Sequence, residues 1–152
     1  MEEIDNNWLF RQVEIALNTK KRVKIRLMGE SMYPFLNSRS DILVIAPFIS
    51  ETVRVGDVVL AKVNDQYVLH RLIEKKEQGW CKLQGDANMK KQELVHVGNI
   101  IGRLVQIERN GTQTIDCLSK KWQWYGRCWI KLRFCRTYLL KIILWKRRAI
   151  KK

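Results

Sequence analysis

Apolar and polar residues alternate through much of the first 119 positions, and this pattern predicts a chain made mainly of β-strands. Val23, Ile25 and Leu27 would point to one side of such a strand, while Lys24 and Arg26 would point to the other. Similar short runs, bounded by turn-forming residues, recur downstream. The predicted strands cover residues 20–28, 41–46, 57–63, 66–74, 79–84, 99–109 and 112–118.

The turns between these runs, and the segment before them, complete the expected architecture. Asn64-Asp65 and Asn110-Gly111 are typical of tight β-hairpin turns. Before the first strand, several apolar residues fall on one face of a helix that we expect over about residues 6–18. We therefore expect a mainly β domain over residues 1–119, with one short N-terminal helix.

The C-terminal segment, residues 120–152, differs from the rest of the chain in its charge. It holds 12 Lys or Arg residues and no Asp or Glu, whereas the preceding 119 residues hold 17 against 15. The net charge of +14 therefore belongs almost entirely to this segment, which we expect to meet an anionic partner. The same distribution argues against the whole chain being a nucleic-acid-binding domain.

Aromatic residues interleave with these cations and narrow the choice of partner. The stretch from Trp129 to Trp145 is 17 residues long and is interrupted by four cations, while a membrane-spanning helix needs about 20 mainly apolar residues. We therefore expect a basic amphipathic helix over residues 122–147 that lies on an anionic membrane surface. The alternatives are a tail that binds nucleic acid or a partner protein, and a disordered, solvated tail.

The N-terminus and the cysteines bear on location and cofactors. Residues 1–18 carry four acids and lack an apolar run, so we expect neither a signal peptide nor an N-terminal membrane anchor. There is no Cys-x-x-Cys pair and the two histidines are far apart, so we expect no metal and no other cofactor. Reduced thiols then suit a cytoplasmic or peripheral membrane protein. The cysteines are Cys81, Cys117, Cys128 and Cys135.

Three short motifs carry the residue types that a serine hydrolase needs. In chain order they are Gly29-Glu30-Ser31-Met32-Tyr33-Pro34, His70-Arg71 and Gly85-Asp86-Ala87-Asn88. A serine hydroxyl acts as a nucleophile when a histidine takes its proton, and an acid fixes the imidazole tautomer and stabilises the imidazolium. The three motifs in this order are a much stronger signal than any one of them alone.

Each candidate residue also has a purely structural interpretation. Ser31 follows a strand in a turn that can expose its hydroxyl and aim backbone N–H groups at an oxyanion, but a plain turn has the same composition. His70 lies on the strand face of Val68 and Leu72, as either a shielded general base or a core histidine bonded to the backbone. Asp86 either orients His70 or caps its own turn. Structural roles better explain three further residues: Asp57, Arg71 and His96.

Together the motifs resemble the signal peptidase I group of serine endopeptidases and its relatives, the LexA-like self-cleaving repressors, over roughly residues 23–108. The resemblance implies a coiled, partly barrel-like β fold with Ser31 as nucleophile. The usual bacterial enzymes carry a lysine base where His70 stands here. Histidine is typical of the archaeal and endoplasmic-reticulum branch and its Gram-positive spore-former relatives. In the first motif, Met32 and Pro34 are candidate substrate-binding residues.

The leading hypothesis is a serine endopeptidase of the signal peptidase I type, with Ser31 as nucleophile, His70 as base and Asp86 orienting the base. We expect its substrate to be an extended peptide or leader added as a strand beside the active site, and the resemblance implies small side chains near the cleaved bond. A LexA-like regulatory autoprotease core is the second hypothesis, although the sequence shows no N-terminal helix-turn-helix and no clear self-cleavage segment. A non-catalytic accessory module with the same fold is the third, and it would need none of the three residues.

Overall fold

The computed structural model describes residues 6–149, and the side chains of residues 8–149. Its helices and strands alternate with short turns, and one-turn 3-10 helices lie at Glu77–Gly79, Val97–Asn99 and Leu132–Phe134. In chain order the helices and strands are α1 (Asn6–Asn18), β1 (Val23–Arg26), β2 (Asp41–Pro47), β3 (Val58–Val63), β4 (Gln66–Lys75), β5 (Trp80–Gln84), β6 (Glu93–His96), β7 (Ile100–Arg109), β8 (Gln113–Asp116), α2 (Lys120–Lys131) and α3 (Arg136–Ala149).

Within the described residues, the strands form one eight-stranded antiparallel sheet in the order β1-β2-β7-β3-β4-β5-β6, with β8 paired to β7. The sheet is open, because β1 and β6 lie at opposite ends of this order and do not pair. The predictions of a mainly β fold and of a helix over residues 6–18 are confirmed. The strand β6 was not among the predicted strands, and it carries a residue of the candidate site.

Among the described residues, two hydrophobic clusters form the core. The larger cluster contains Leu17 of α1, Leu43 of β2 and Trp122 of α2, so it joins the N-terminal helix, the sheet and the first C-terminal helix. The smaller cluster lies around β3, β4 and β5 and includes Val59, Leu72 and Leu83. The helix α1 can sit close to β7 because Gly102 has no side chain. A Cβ there would lie 2.9 Å from Leu17 Cδ1.

The C-terminal segment is two helices, not the single helix predicted over residues 122–147. A 3-10 turn separates α2 from α3. Ser119 caps α2 by accepting a hydrogen bond from the backbone N–H of Trp122, at 3.3 Å. Trp122 and Trp129 are buried and contact the Phe35 ring edge-on. The predicted boundary at residue 119 therefore does not divide the packing, because α2 contributes to the core of the β domain.

The α2 helix also approaches β4 closely, and a glycine makes this possible. A Cβ at Gly126 would lie 2.6 Å from Nη1 of the buried Arg71. Gln123 of the same helix donates hydrogen bonds to the Asp57 carboxylate and, at 3.1 Å, to the Cys117 carbonyl. In the part of the chain that the structure describes, no helix is both long enough and apolar enough to cross a bilayer.

Candidate active site

Ser31 begins the turn that follows β1, and its side chain is exposed. Gly29 lets the chain reverse here because its φ of 81° lies in the left-handed region. Met32 and Leu36 then enter the core, where both are 0% exposed, and the Leu36 N–H donates to the Met32 carbonyl at 3.0 Å. These two buried side chains anchor the turn and leave Ser31 facing solvent.

His70 is buried in β4, with 8% of its surface exposed, and it approaches the Ser31 segment at Gly85. A Cβ placed on Gly85 would lie 2.7 Å from the Ser31 carbonyl oxygen and 3.2 Å from His70 Nε2. Glycine at this position therefore allows the serine turn and the imidazole edge to converge. The Ala87 N–H holds the arrangement by donating to the Ser31 carbonyl at 2.9 Å.

The acid beside the histidine is Glu93, not the predicted Asp86. Glu93 Oε2 lies 2.8 Å from His70 Nδ1, and both side chains are buried. If Glu93 is ionised, its carboxylate can only accept hydrogen bonds, and Nδ1 then carries the proton in this pair. The other ring nitrogen, Nε2, is then free to accept a proton at the edge that faces Gly85 and the Ser31 segment. This is the tautomer that a general base requires.

Asp86 instead forms a buried ion pair with Arg71. Its two oxygens accept bonds of 2.7 and 2.6 Å from Arg71 Nε and Nη2, while Arg71 Nη1 donates to the Gly56 carbonyl at 2.7 Å. The prediction that Asp86 orients His70 is wrong, because its carboxylate is taken up by this bidentate pair. The structural interpretation of Arg71 fits its contacts, since it connects β4 to the loop that approaches Ser31.

The two predicted substrate-binding residues have different surroundings. Met32 is 0% exposed within the larger core cluster, so its predicted contact with substrate is wrong, and it anchors the serine turn instead. Pro34 is half-buried and lines a separate cavity with Phe35, Trp122 and Tyr125. Its role in substrate binding stays a prediction.

A cleft of about 440 Å³ lies next to Ser31 and His70. One wall is formed by residues 25–28, at and just after β1, and the other by the Gln66–His70 part of β4. In the described chain, β1 pairs only with β2, and β5 pairs with β4 from Arg71 onward. Both walls therefore present strand edges without a partner, and such edges can accept an added strand.

Tyr67 and α1 complete the wall of the cleft. The Tyr67 hydroxyl donates to Glu14 of α1 at 2.7 Å, and its ring stacks on Phe10 at a centroid distance of 5.3 Å. Burial, and then this hydrogen bond, raise the pKa of Tyr67 to about 12. The phenol is therefore neutral at neutral pH and contributes an apolar ring beside the serine.

The relation between the Ser31 hydroxyl and the His70 ring sets a condition for the candidate chemistry. Among the described side chains, no hydrogen bond joins the Ser31 hydroxyl to His70, although the backbone of Ser31 and the imidazole lie close together at Gly85. Hydrogen bonds of this kind are often long in unliganded enzymes and shorten when substrate binds. The Ser31 side chain would therefore have to reach hydrogen-bond distance of His70 in the complex.

Sequence reasoning missed Glu93 because it is a buried acid next to an exposed leucine in a strand of only four residues. In the four residues of β6 the acid Glu93 is buried, while its apolar neighbour Leu94 is 54% exposed. Hydrophobic periodicity cannot detect such a strand. One signal was present, since Glu93 is the sole acidic residue between Asp86 and Glu108.

The residues of this site lie in a part of the chain that matches a known protein family. A family model described as Peptidase S24-like matches residues 3–105. The chain belongs to the Peptidase S24-like family. A search of curated proteins finds no significant match. The matched region contains Ser31, His70 and Glu93 and ends in β7, so the basic helices α2 and α3 lie outside it.

Membership of the Peptidase S24-like family supports the superfamily that the three motifs indicated, which joins LexA-like and signal peptidase-like serine peptidases. It also supports a serine peptidase or a LexA-like autoprotease type of function.

Proposed function

We propose that this protein is a serine endopeptidase of the signal peptidase-like type, with Ser31 as nucleophile and His70 as general base. In this proposal His70 Nε2 takes the Ser31 proton, as in the Ser-His branch of the superfamily, while Glu93 holds Nδ1–H and stabilises the imidazolium. The observation that supports it most directly is the buried 2.8 Å pair between His70 and Glu93, whose free Nε2 edge faces the serine turn across Gly85.

The proposed substrate is an extended peptide that enters the cleft between β1 and β4 as an added strand. The unpaired edges on both walls favour this mode, because main-chain hydrogen bonds can then supply affinity for many sequences. Side-chain selectivity would come from the small apolar space beside Phe10 and Tyr67. A leader or another peptide precursor is the substrate that we propose for this mode of binding.

The test is a peptide-library digest with wild-type protein and Ser31→Ala. We expect cleavage by the wild type and none above background for the variant, since losing the nucleophile leaves only residual acceleration of about 10³–10⁴ over water. Ser38→Ala, seven residues further along the same connection, is the matched control and should cleave like the wild type. Cleavage by Ser31→Ala at the wild-type rate would reject this assignment.

A LexA-like autoprotease is the second candidate, and the family match favours it. The same site would then cut its own chain. Self-cleavage within one molecule has a rate independent of protein concentration, whereas cleavage of other peptides follows saturation kinetics in the peptide. Incubating the protein alone over a hundredfold range of concentration, with mass spectrometry of the products, separates the two functions.

A further inference from the structure

One face of α3 packs against the rest of the protein. The Arg136 guanidinium lies over the Trp129 ring at 5.6 Å, and Arg147 Nη1 donates to Glu30 at 3.3 Å. The members of this inner face recur at the three- and four-residue spacing of one helix side and are buried or half-buried: Arg136, Leu140, Ile143 and Arg147.

The opposite face of α3 is apolar and exposed. Tyr138, Ile142 and Trp145 have 70%, 53% and 69% of their surfaces exposed, and Phe134, just before the helix, has 86%. At about 100° per residue, the centre of the first three lies about 180° from the centre of the inner face. We call Phe134, Tyr138, Ile142 and Trp145 the outer stripe.

The outer stripe reverses the usual arrangement of a surface helix. Such a helix normally turns its apolar side to the core and its charged side to water. Here two arginines, Arg136 and Arg147, lie on the inner face, while aromatic residues cover successive turns of the outer face. Scattered apolar residues on a surface need no explanation, but a continuous stripe on one helix indicates an interaction site.

The charges around the stripe identify its partner. Lys141, Lys146 and Arg148 are exposed on the same helix, and residues 120–152 contain 12 cations and no acid. A second copy of this surface would be repelled by its own charge. An anionic bilayer offers both an apolar layer for the stripe and negative headgroups for the cations that flank it.

We propose that α3 binds an anionic membrane surface, with the outer stripe in the boundary between headgroups and acyl chains and with Lys141, Lys146 and Arg148 at the headgroups. The inner face stays on the protein, so binding needs no unfolding of α3. Nucleic acid fits the cations, but a continuous stripe that includes Ile142 suits acyl chains better than separate bases.

The test uses the full-length protein and vesicles of phosphatidylcholine, with and without phosphatidylglycerol. We expect co-sedimentation with the anionic vesicles and affinity that falls at least about tenfold between low salt and several times physiological salt, because screening weakens attraction to headgroups. Neutral vesicles should bind at least about tenfold more weakly than anionic ones at low salt.

Substitutions test whether vesicle binding depends on the outer stripe or on nonspecific adsorption of the protein. Tyr138→Ser combined with Trp145→Ser should weaken binding to anionic vesicles about tenfold or more, because two interfacial anchors are lost. Trp8→Ser is the matched control, since Trp8 is 58% exposed on α1, and it should bind like the wild type. Circular dichroism checks that each variant folds. The exposed positions carry little packing, so native spectra are expected.

Depth of insertion gives a second readout. Lipids brominated near the headgroup should quench tryptophan fluorescence in the wild type and clearly less in Trp145→Phe, which keeps an aromatic anchor and should still bind. Three results would overturn the proposal: unchanged vesicle binding by the double serine variant, binding to DNA or RNA with none to vesicles, or a stripe-dependent dimer that ignores vesicles.

Discussion

At the scale of single residues, two buried carboxylates lie near the candidate base and have different partners. Glu93 contacts His70 Nδ1, whereas Asp86 is held by both nitrogens of the Arg71 fork. The first pair touches the imidazole that would move a proton. The second connects the Gly85 loop to β4 and fixes the distance between the serine turn and the base. The candidate chemistry therefore involves the hydrogen-bonded pair of His70 and Glu93, and the structural support comes from the separate ion pair of Arg71 and Asp86.

Substituting each acid by its amide should separate these roles. Glu93→Gln should lower kcat/KM for peptide cleavage by up to about 10⁴-fold with the fold retained, because an amide no longer enforces the tautomer or stabilises the imidazolium. Asp86→Asn should instead lower the free energy of unfolding by about 3–5 kcal/mol, because it breaks a buried ion pair. Peptide-cleavage kinetics and urea unfolding of both variants are the measurements. The opposite pattern, with folded Asp86→Asn inactive and Glu93→Gln fully active, would restore Asp86 as the orienting acid.

The two acids also show which residues of the candidate site could be predicted from the sequence and which could not. Ser31 and His70 could be proposed from the sequence because each lies in a recognisable short motif. Glu93 could not be predicted as the partner of His70, because their contact depends on the antiparallel pairing of β5 with β6. This pairing places Glu93 opposite Leu83. No local pattern encodes that pairing. Asp86 lies in the motif where the acid was expected, but its carboxylate pairs with Arg71, the residue that follows His70 in the sequence.

At the scale of elements, an ion pair fixes one end of the pairing between β2 and β7. Asp41 lies opposite Arg109 in the register and accepts from its Nε and Nη2 at 2.8 and 2.7 Å. Arg109 also donates to the Phe35 carbonyl at 2.9 Å. The pair therefore ties the connection after Ser31 to the end of β7, and it contributes to the position of the serine turn.

This ion pair should make the free energy of unfolding depend on pH in the acid range. Burial alone would raise the pKa of Asp41, but hydrogen bonds from Arg109, the Asn37 N–H and Ser40 outweigh it and lower the pKa. A carboxyl with a lowered folded pKa stabilises the fold fully above its ordinary value of 3.8, and this contribution is lost as the pH falls through the folded pKa. Asp41→Asn should therefore be less stable than the wild type at pH 7, and the difference should shrink below pH 3.8.

Urea unfolding across that pH range measures the difference. Asp65→Asn is the control, because the Asp65 side chain is 97% exposed, and it should match the wild type closely at pH 7. A stability difference for Asp41→Asn that stays constant down to the acid limit would contradict the assigned role of the ion pair.

At the scale of the whole molecule, α2, the first of the basic C-terminal helices, is part of the packing of the β domain. Trp122 belongs to the larger core cluster, and Trp129 Nε1 donates to the Asp86 carbonyl at 3.3 Å. Charge and composition distinguish residues 120–152 from the rest of the sequence. They could not show that one side of the segment completes the core, since aromatic residues suit either a core or a membrane surface.

Two neighbouring tryptophans test this packing in the full-length chain. Trp122→Ala should lower the free energy of unfolding by about 3–5 kcal/mol, because it leaves a cavity in the core. Trp124→Ala should change it by less than about 0.5 kcal/mol, because Trp124 is 57% exposed. Equilibrium unfolding in urea, followed by circular dichroism, measures both. Equal effects of the two substitutions would show that α2 does not pack as described.

The contact of Arg147 with Glu30 determines how far the candidate site would lie from a membrane bound at α3. Arg147 leaves the inner face of α3 and meets the residue just before Ser31, with its guanidinium 5.1 Å from the centre of the Tyr33 ring. A helix with its side chains is about 10–12 Å thick, so a membrane on the outer stripe would lie about that far from Ser31, the proposed nucleophile. An extended chain covers about 3.3 Å per residue. A substrate anchored in the same bilayer would then present its scissile bond about three or four residues from the lipid surface, and peptides cut much closer or much farther away would be poor substrates.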